Sequence, residues 1–219
     1  MAKPEIYVSI DIEADGPIPG INSMVNIGLA AFRGVMPGEA APEHPQPIAT
    51  FEANIKCLPE ATPDPDTMAW WAKNPAAWEY VQGRAEGSPT PVSASEAMNN
   101  VLSWTEQLPG KPVMVVFPTY DFMFVRWYLV RFCGVERARI FGIQALDLKT
   151  LAMAAMNHPT FKGVFKRSMS KWGRALFKGQ PPHDHTGLAD AIGQGMLFVR
   201  LMDHIRRMDP NDDDPRGHM

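Results

Sequence analysis

Residues 113–117, VMVVF, are five consecutive apolar residues, and this run constrains the fold more strongly than any other part of the chain. A run of this length with no polar position is typical of a central strand that is covered on both faces. A helix is predicted to follow it, from about 120 to 132. The run therefore predicts a buried strand within a sheet that has other elements packed against it.

Four further strands are predicted around this one. Residues 5–12 and 24–32 are rich in strand-forming residues and are separated by a turn that contains glycine and proline, so they are expected to pair. A proline-containing loop over 33–47 leads to a third strand near 48–55, and a last strand is predicted over 140–146. Strands first and then alternating helices and strands predict an α/β fold, with a mixed sheet and helices packed on it.

Capping signals mark the predicted helices. Asp64 followed by Pro65 is typical of an N-cap with proline at the first helical position. Ser93 with Glu96 three residues later forms a capping-box pattern, and apolar residues follow it at helical spacing. A long final helix is predicted over 186–207, with an apolar face.

Length and charge limit the domain organisation. The chain has 219 residues, of which 45% are hydrophobic, so it can bury a sizeable core. Residues 1–208 are interpreted as one domain, and residues 209–219, DPNDDDPRGHM, as a charged tail that is predicted to be disordered. The net charge of −3 does not indicate a protein that coats long duplexes, so any contact with nucleic acid is expected to be local.

The cysteines and the N-terminus indicate the compartment. Cys57 and Cys133 lie far apart and belong to no CxxC motif, which excludes a disulfide framework and a structural zinc site of the usual spacing. The first apolar run is interrupted by Asp11 and Glu13, too early for a signal peptide or a membrane span. These features predict a soluble protein in the cytoplasm.

Asp11 and Glu13 are the first candidate functional residues. They lie two apart on the opening strand, so both side chains leave the same face of the sheet. Two adjacent carboxylates repel each other unless a proton or a cation bridges them, which favours a hard, oxygen-seeking ion such as Mg²⁺ or Mn²⁺. The alternative is a solvated strand edge.

Asp121 is the next candidate. An acid near the start of a helix is commonplace as a cap or as a partner of the helix dipole. However, Asp121 comes just after the buried run 113–117 and before a helix, at the rim where α/β folds gather ligands.

His185 and Asp190 complete the set, in the sequence HDHTGLADA. Five residues span about 140° around an α-helix, so the two side chains would not share a face if both were helical. The arrangement that brings them together has His185 on the preceding loop and Asp190 on the helix. The alternative is a structural or incidental pair.

Three motifs carry a resemblance to a known family: SIDIEADG at 9–16, PTYDFMFV at 118–125 and HTGLADA at 185–191. In this order and with these strand and helix contexts, they resemble the DEDDh exonucleases of the ribonuclease-H-like superfamily, a group with proofreading exonuclease subunits, ribonuclease T and oligoribonuclease. The resemblance covers about residues 5–203. It implies a ribonuclease-H-like mixed β-sheet of about five strands, an antiparallel meander followed by parallel strands, flanked by α-helices.

The resemblance also implies an activity, the removal of nucleotides from the 3′ end of a nucleic acid. It implies that four carboxylates bind two Mg²⁺ or Mn²⁺ ions, namely Asp11, Glu13, Asp121 and Asp190, with Glu13 also counted as catalytic. His185 is then the general base, and an imidazole has a suitable pKa to take a proton from water near neutral pH. Two ions about 4 Å apart clamp the scissile phosphate in such sites.

The chain departs from the family pattern in three places. Asp15 adds an acid that is expected to crowd the site, and Phe117 stands where related sequences often have asparagine, so the terminal sugar is expected to be held differently. His183 and Asp184 directly precede His185, and the three together could be read as a transition-metal site with two histidines and one carboxylate. That interpretation is disfavoured, because it leaves Asp11 and Glu13 unexplained. The spacing to the last aspartate favours His185 over His183 as the base.

Aromatic and apolar residues near these motifs are candidates for substrate binding. Trp70 and Trp71 could stack on bases or pack in the core, and at most one is expected to face the substrate because neighbouring helical residues point about 100° apart. Trp70 is assigned to the substrate. Ile18, Ile21 and Met24 are candidate wedges against the terminal base, with at least one of them in the core; Met24 is assigned to the substrate.

A basic segment over 162–178 is the remaining candidate. It has six cations and no acid: Lys162, Lys166, Arg167, Lys171, Arg174 and Lys178. We interpret Lys166, Arg167 and Lys171 as contacts to the substrate backbone, the alternative being a solvated helix face. Asp147 is interpreted as a cap and not as a fifth metal ligand.

Three functions compete on this basis: a 3′–5′ exonuclease, a nucleic-acid-binding module of the same fold that has lost catalysis, and a ribonuclease-H-like endonuclease. The complete set of carboxylates and histidine favours the exonuclease. The expected partner is a nucleic acid with a free 3′ end, single-stranded, with a slight preference for RNA or short oligonucleotides. The sequence does not indicate the oligomeric state, and a homodimer is compatible with it.

Overall fold

A computed structural model describes residues 3–35, 40–157, 164 and 176–208. Its sheet has five strands, β1 (Glu5–Ala14), β2 (Met24–Arg33), β3 (Ala49–Asn54), β4 (Lys111–Val116) and β5 (Leu146–Asp147). They lie in the order β3-β2-β1-β4-β5. The first three strands form an antiparallel meander, whereas β4 runs parallel to β1 and β5 parallel to β4. The predicted mixed sheet is confirmed.

The described helices are α1 (Pro65–Trp71), α2 (Pro75–Val81), α3 (Ala94–Glu106), α4 (Thr119–Cys133), α5 (Leu148–Ala155) and α6 (Gly187–Met208), with a 3-10 helix at Arg137–Phe141. The predicted caps are confirmed: the Asp64 side chain accepts a hydrogen bond from the Thr67 N–H, and the Ser93 side chain accepts one from the Glu96 N–H. Asp147 is also a cap, at the start of α5. No helix in the described residues is long and apolar enough to cross a membrane.

The strand predicted over 140–146 is wrong for most of its length. The 3-10 helix covers the first part and ends at Gly142, whose φ of +72° turns the chain away. Only Leu146 and Asp147 then pair with β4, at the edge of the sheet. Helices α2 and α5 had not been predicted.

Both faces of the sheet are covered, as the apolar run in β4 requires. Met114 and Val116 pack into a core that includes residues of α3 and α4. Val115, which points the other way, packs into a second core with residues of α5 and α6. Asp11 and Glu13 alternate with Ile10 and Ile12 of the first core, so their side chains leave β1 on the α6 side.

The start of α6 is held tightly against the sheet by two glycines. The Gly187 N–H donates a hydrogen bond of 2.9 Å to the Asn26 side-chain oxygen of β2. A Cβ on Gly28 would collide with the backbone of Gly187 and Leu188, so this approach requires the absence of a side chain. Because Gly28 is the β2 partner of Asp11, the contact fixes the first turn of α6 beside that carboxylate.

We expect Gly28→Ala to lower the free energy of unfolding by about 1–3 kcal/mol, the usual cost of forcing an extra carbon into a close contact. Gly193→Ala is the matched control, because a Cβ there meets only ordinary contacts, to Gln180 at 3.7 Å or more. That change should stabilise the protein by up to about 1 kcal/mol through helix propensity. Urea unfolding of both variants checks this, and equal effects would contradict the close approach.

Candidate active site

Three predicted carboxylates converge from two elements. Asp11 and Glu13 lie on β1 beyond its last pairing with β4, and Asp190 lies in the first turn of α6. One carboxylate oxygen from each of the three lies within 4.8 Å of the others. The contact of α6 with β2 therefore brings together residues that are nearly 180 positions apart.

The raised pKa values of the carboxyl groups show that negative charge is unfavourable in this cluster. Burial, and then the nearby Asp190 carboxylate, raise the pKa of Asp11 well above its usual value. Burial raises the pKa of Glu13 in the same way, followed by the charges of Asp11 and Asp190. Buried like charges of this kind favour a bound cation, and a set of carboxylate oxygens suits a hard divalent ion.

Asp121 reaches the same region from a third element, the first turn of α4. It is 2% exposed, and burial followed by the charges of Asp11 and Glu13 raises the pKa of its carboxyl well above its usual value. Its Oδ2 atom is buried and has no hydrogen-bond partner among the described residues. An acceptor oxygen left open beside two other carboxylates fits a divalent cation.

Two histidines stand beside Asp190. His185 lies on the loop before α6, as predicted, with an unusual φ of +61°. Its ring meets the Trp70 ring edge-on at a centroid distance of 4.8 Å. Burial, and then the neighbouring His183, lower the pKa of His185, which favours the neutral imidazole that a base requires.

His183 takes a position that the sequence did not indicate. Its Nδ1 atom lies 2.6 Å from Asp190 Oδ1, and its ring centroid is 4.2 Å from that of His185. Asp184 does not join them, because its Oδ1 atom accepts hydrogen bonds from the N–H and hydroxyl of Thr186. The two histidines and the carboxylate that come together are thus His183, His185 and Asp190.

A search against protein-family models found no match. The chain is 28% identical over 207 residues to the 3′–5′ DNA exonuclease Cap18 of Escherichia coli, an alignment that covers 92% of this chain and 93% of that protein. The chain is thus similar in sequence to a 3′–5′ DNA exonuclease and similar in fold to a DEDDh family member.

Solved structures carry the fold comparison. The nuclease domain of 3′hExo, a DEDDh family member bound to rAMP, superposes with a TM-score of 0.58 at 10% identity, over 90% of this chain and 91% of that one. E. coli Exonuclease I in complex with a dA16 oligonucleotide superposes with a TM-score of 0.58 at 12% identity, over 96% of this chain. This chain spans 42% of the length of Exonuclease I. The predicted ribonuclease-H-like fold is confirmed.

Gln194 is a residue of this candidate site that the sequence reasoning missed. Its Nε2 atom donates hydrogen bonds to Asp11 Oδ1 at 2.6 Å and to the Phe117 carbonyl at 3.3 Å. It therefore links β1, α6 and the end of β4. The available signal was its spacing, since a residue four positions after Asp190 lies on the same face of the helix.

We expect Gln194→Ala to weaken divalent-metal binding by about 10–100-fold, the usual effect of removing a partner that orients a ligand. Turnover at saturating metal should fall much less, because Gln194 positions Asp11 and does not itself reach the reacting phosphate. Mn²⁺ titration and Mg²⁺ activation curves measure the two effects. Gln180→Ala, which removes a hydrogen bond to the Gly193 carbonyl of the same helix, is the control. Equal metal affinity in the two variants would contradict this role.

The two tryptophans divide as expected. Trp71 is 1% exposed and donates a hydrogen bond from Nε1 to the Ala14 carbonyl, whereas Trp70 is 38% exposed beside His185. Met24, in contrast, is fully buried at the start of β2, so its assignment to the substrate is wrong. It lies on the core face of the strand, and of the three candidate wedges Ile18 and Ile21 are exposed.

Asp15 does not crowd the carboxylate cluster, contrary to expectation. It lies just past the end of β1 and turns inward, where its Oδ1 atom accepts a 2.6 Å hydrogen bond from the Ser23 N–H. The basic residues Lys166, Arg167 and Lys171, like the tail 209–219, lie outside the described residues, so their assignments stay predictions.

Proposed function

We propose that this exonuclease hydrolyses single-stranded DNA from its 3′ end, with Asp11, Glu13, Asp121 and Asp190 as ligands of two Mg²⁺ or Mn²⁺ ions and His185 as the general base. One observation carries the proposal: carboxylates from β1 and α6 meet within 4.8 Å beside a half-exposed imidazole, at the end of two parallel strands. The buried Asp121 of α4 lies close enough for the charges of Asp11 and Glu13 to raise the pKa of its carboxyl. In a two-metal site, such ions activate a water and stabilise the leaving 3′ oxygen.

The residues supply the rest of the chemistry. The carboxylates present oxygen ligands only, and such ligands suit hard ions better than they suit softer transition metals. His185 accepts the proton of the attacking water, for which its lowered pKa and partial exposure are suitable. Its contact with the Trp70 ring holds the imidazole at the rim of the cluster, where a phosphodiester can approach.

The choice of DNA replaces the slight preference for RNA drawn from the sequence. It rests on the name of the relative, a 3′–5′ DNA exonuclease that aligns over nearly the whole chain. Telling RNA from DNA requires contacts to the 2′-hydroxyl of the sugar.

Trp70 is proposed to stack on a base near the scissile phosphate, because it is the exposed member of the pair Trp70 and Trp71 and its ring contacts the imidazole of the proposed general base. Trp70→Ala should weaken the binding of single-stranded DNA by about 5–150-fold, which corresponds to the 1–3 kcal/mol of one stacked base. Trp70→Phe, which keeps an aromatic face, is the control. Binding is measured with Ca²⁺ in an Asp11→Asn background, and equal affinities for the two variants would contradict stacking.

The test of the whole proposal uses matched single-stranded DNA and RNA, labelled at either the 3′ or the 5′ end, with Mg²⁺. We expect immediate release of a mononucleotide from the 3′-labelled strand, slow shortening of the 5′-labelled strand, and faster hydrolysis of DNA. Internal fragments would indicate an endonuclease, and binding without hydrolysis would indicate an inactive module.

A further inference from the structure

His183, His185 and Asp190 form a second cluster of metal-ligating groups at the edge of the active site. Each offers one ligand atom, and these atoms lie within 4.8 Å of one another. The hydrolysis proposed above uses only one of the two imidazoles, so it leaves His183 without a role. His183 Nδ1 is within hydrogen-bond distance of Asp190 Oδ1, at 2.6 Å, a contact that the proposed hydrolysis does not use.

The donor set differs in kind from that of the neighbouring carboxylates. Two imidazole nitrogens and one carboxylate oxygen suit Zn²⁺ and related transition metals, which bind nitrogen more strongly than Mg²⁺ does. Three protein ligands with an open fourth position are a common arrangement for zinc. We propose that His183, His185 and Asp190 form a Zn²⁺ site that overlaps the catalytic centre and inhibits it.

The geometry requires only a small adjustment. Tetrahedral Zn²⁺ with bonds of about 2.0–2.1 Å holds its ligand atoms roughly 3.3 Å apart, so the His183 and Asp190 atoms must separate by less than about 1 Å. The His185 atom, within 4.8 Å of the other two, must approach them by at most about 1.5 Å. His183 can move, because its side chain is 70% exposed and borders an open cavity of about 420 Å³. Asp190 is held on α6 with a side chain that is 6% exposed, and His185 packs on Trp70.

The backbone brings the two imidazoles to one side of the loop. His185 has a φ of +61°, a conformation that residues other than glycine seldom adopt, and the two rings lie 4.2 Å apart. The Asp184 Oδ1 atom accepts hydrogen bonds from the N–H and hydroxyl of Thr186, and Asp184 offers no ligand atom to this group. The site considered from sequence, with Asp184 as the third ligand, is thus corrected to one with Asp190.

Inhibition follows from the shared residues, and this part rests on the proposed function. Zn²⁺ in this site takes an oxygen of Asp190 and the imidazole of His185, which the hydrolysis needs as a metal ligand and as a base. Zn²⁺ should therefore stop turnover at concentrations far below the Mg²⁺ concentration present in the reaction.

The test is calorimetric titration of Zn²⁺ into the full chain with excess Mg²⁺ and no nucleic acid. We expect His183→Ala and His183→Gln to weaken Zn²⁺ binding by at least about tenfold, since even residues that only orient metal ligands contribute 10–100-fold. Asp11→Asn should change Zn²⁺ affinity less than His183→Ala does. His44→Ala, which removes an exposed histidine next to Glu43, is the matched control and should leave the Zn²⁺ affinity unchanged.

A matching activity measurement completes the test. The Zn²⁺ concentration that halves turnover should rise at least about tenfold in His183→Ala. Unchanged Zn²⁺ affinity in both His183 variants would overturn the site, as would its loss in Asp11→Asn alone, which would place the ion among the carboxylates. Because the calorimetric measurement contains no substrate, its result stands even if the exonuclease proposal fails.

Discussion

Asp11→Asn is expected to abolish metal-dependent hydrolysis of single-stranded DNA while the protein stays folded. Asp11 lies within the group of carboxylates that meet within 4.8 Å, and its replacement removes an oxygen ligand with little change in shape. The metal-free variant should be at least as stable as the wild type, because the substitution relieves repulsion with Asp190.

Turnover and urea unfolding, measured on the same preparations, check this prediction. Asp147→Asn is the matched control: it changes a carboxylate that caps α5 and lies outside the cluster, so it should change neither activity nor stability much, since asparagine caps a helix about as well as aspartate. Full activity in Asp11→Asn would exclude the proposed metal site.

His185→Ala is expected to lower turnover by about 10²–10⁴-fold, the usual contribution of one general base. Binding of Mn²⁺ should change little, because the carboxylates that carry the charge remain. Rates at saturating DNA and metal, together with a Mn²⁺ titration, separate the two effects.

His183→Ala is the comparison that decides which histidine is the base. With Mg²⁺ alone it should change turnover by less than about tenfold, since His183 contacts Asp190 from the outside with an exposed side chain. The reverse ranking of the two variants would transfer the role of base to His183.

The sequence could predict the features that depend on neighbouring residues. Alternation along β1 places Asp11 and Glu13 on one face, and an uninterrupted apolar run identifies β4 as a strand covered on both sides. The side chains of Asp64 and Ser93 cap helices by accepting hydrogen bonds from N–H groups three residues later in the chain. Because these bonds are local, the sequence predicts the helices that follow. The spacing of His185 and Asp190 likewise indicated a histidine on the loop and an aspartate on the helix.

Long-range contacts account for what the sequence could not predict. Gln194 reaches Asp11 only because α6 packs on β1 and β2, and no local pattern reports this contact. His183 contacts Asp190 in a loop in which His185 has a left-handed backbone, a conformation that residue type alone does not indicate. Met24 was assigned to the substrate because it follows the catalytic motif closely, yet the strand turns its side chain into the core.

The most direct test of the converging carboxylates is a count of bound Mn²⁺ ions, by calorimetry or electron paramagnetic resonance, with a single-stranded phosphorothioate oligonucleotide that resists hydrolysis. We predict two ions for each wild-type chain, and fewer than two in Asp11→Asn and Asp190→Asn. A wild-type protein that binds no Mn²⁺, or variants that bind as many ions as the wild type, would contradict the assignment of these carboxylates as the catalytic metal ligands.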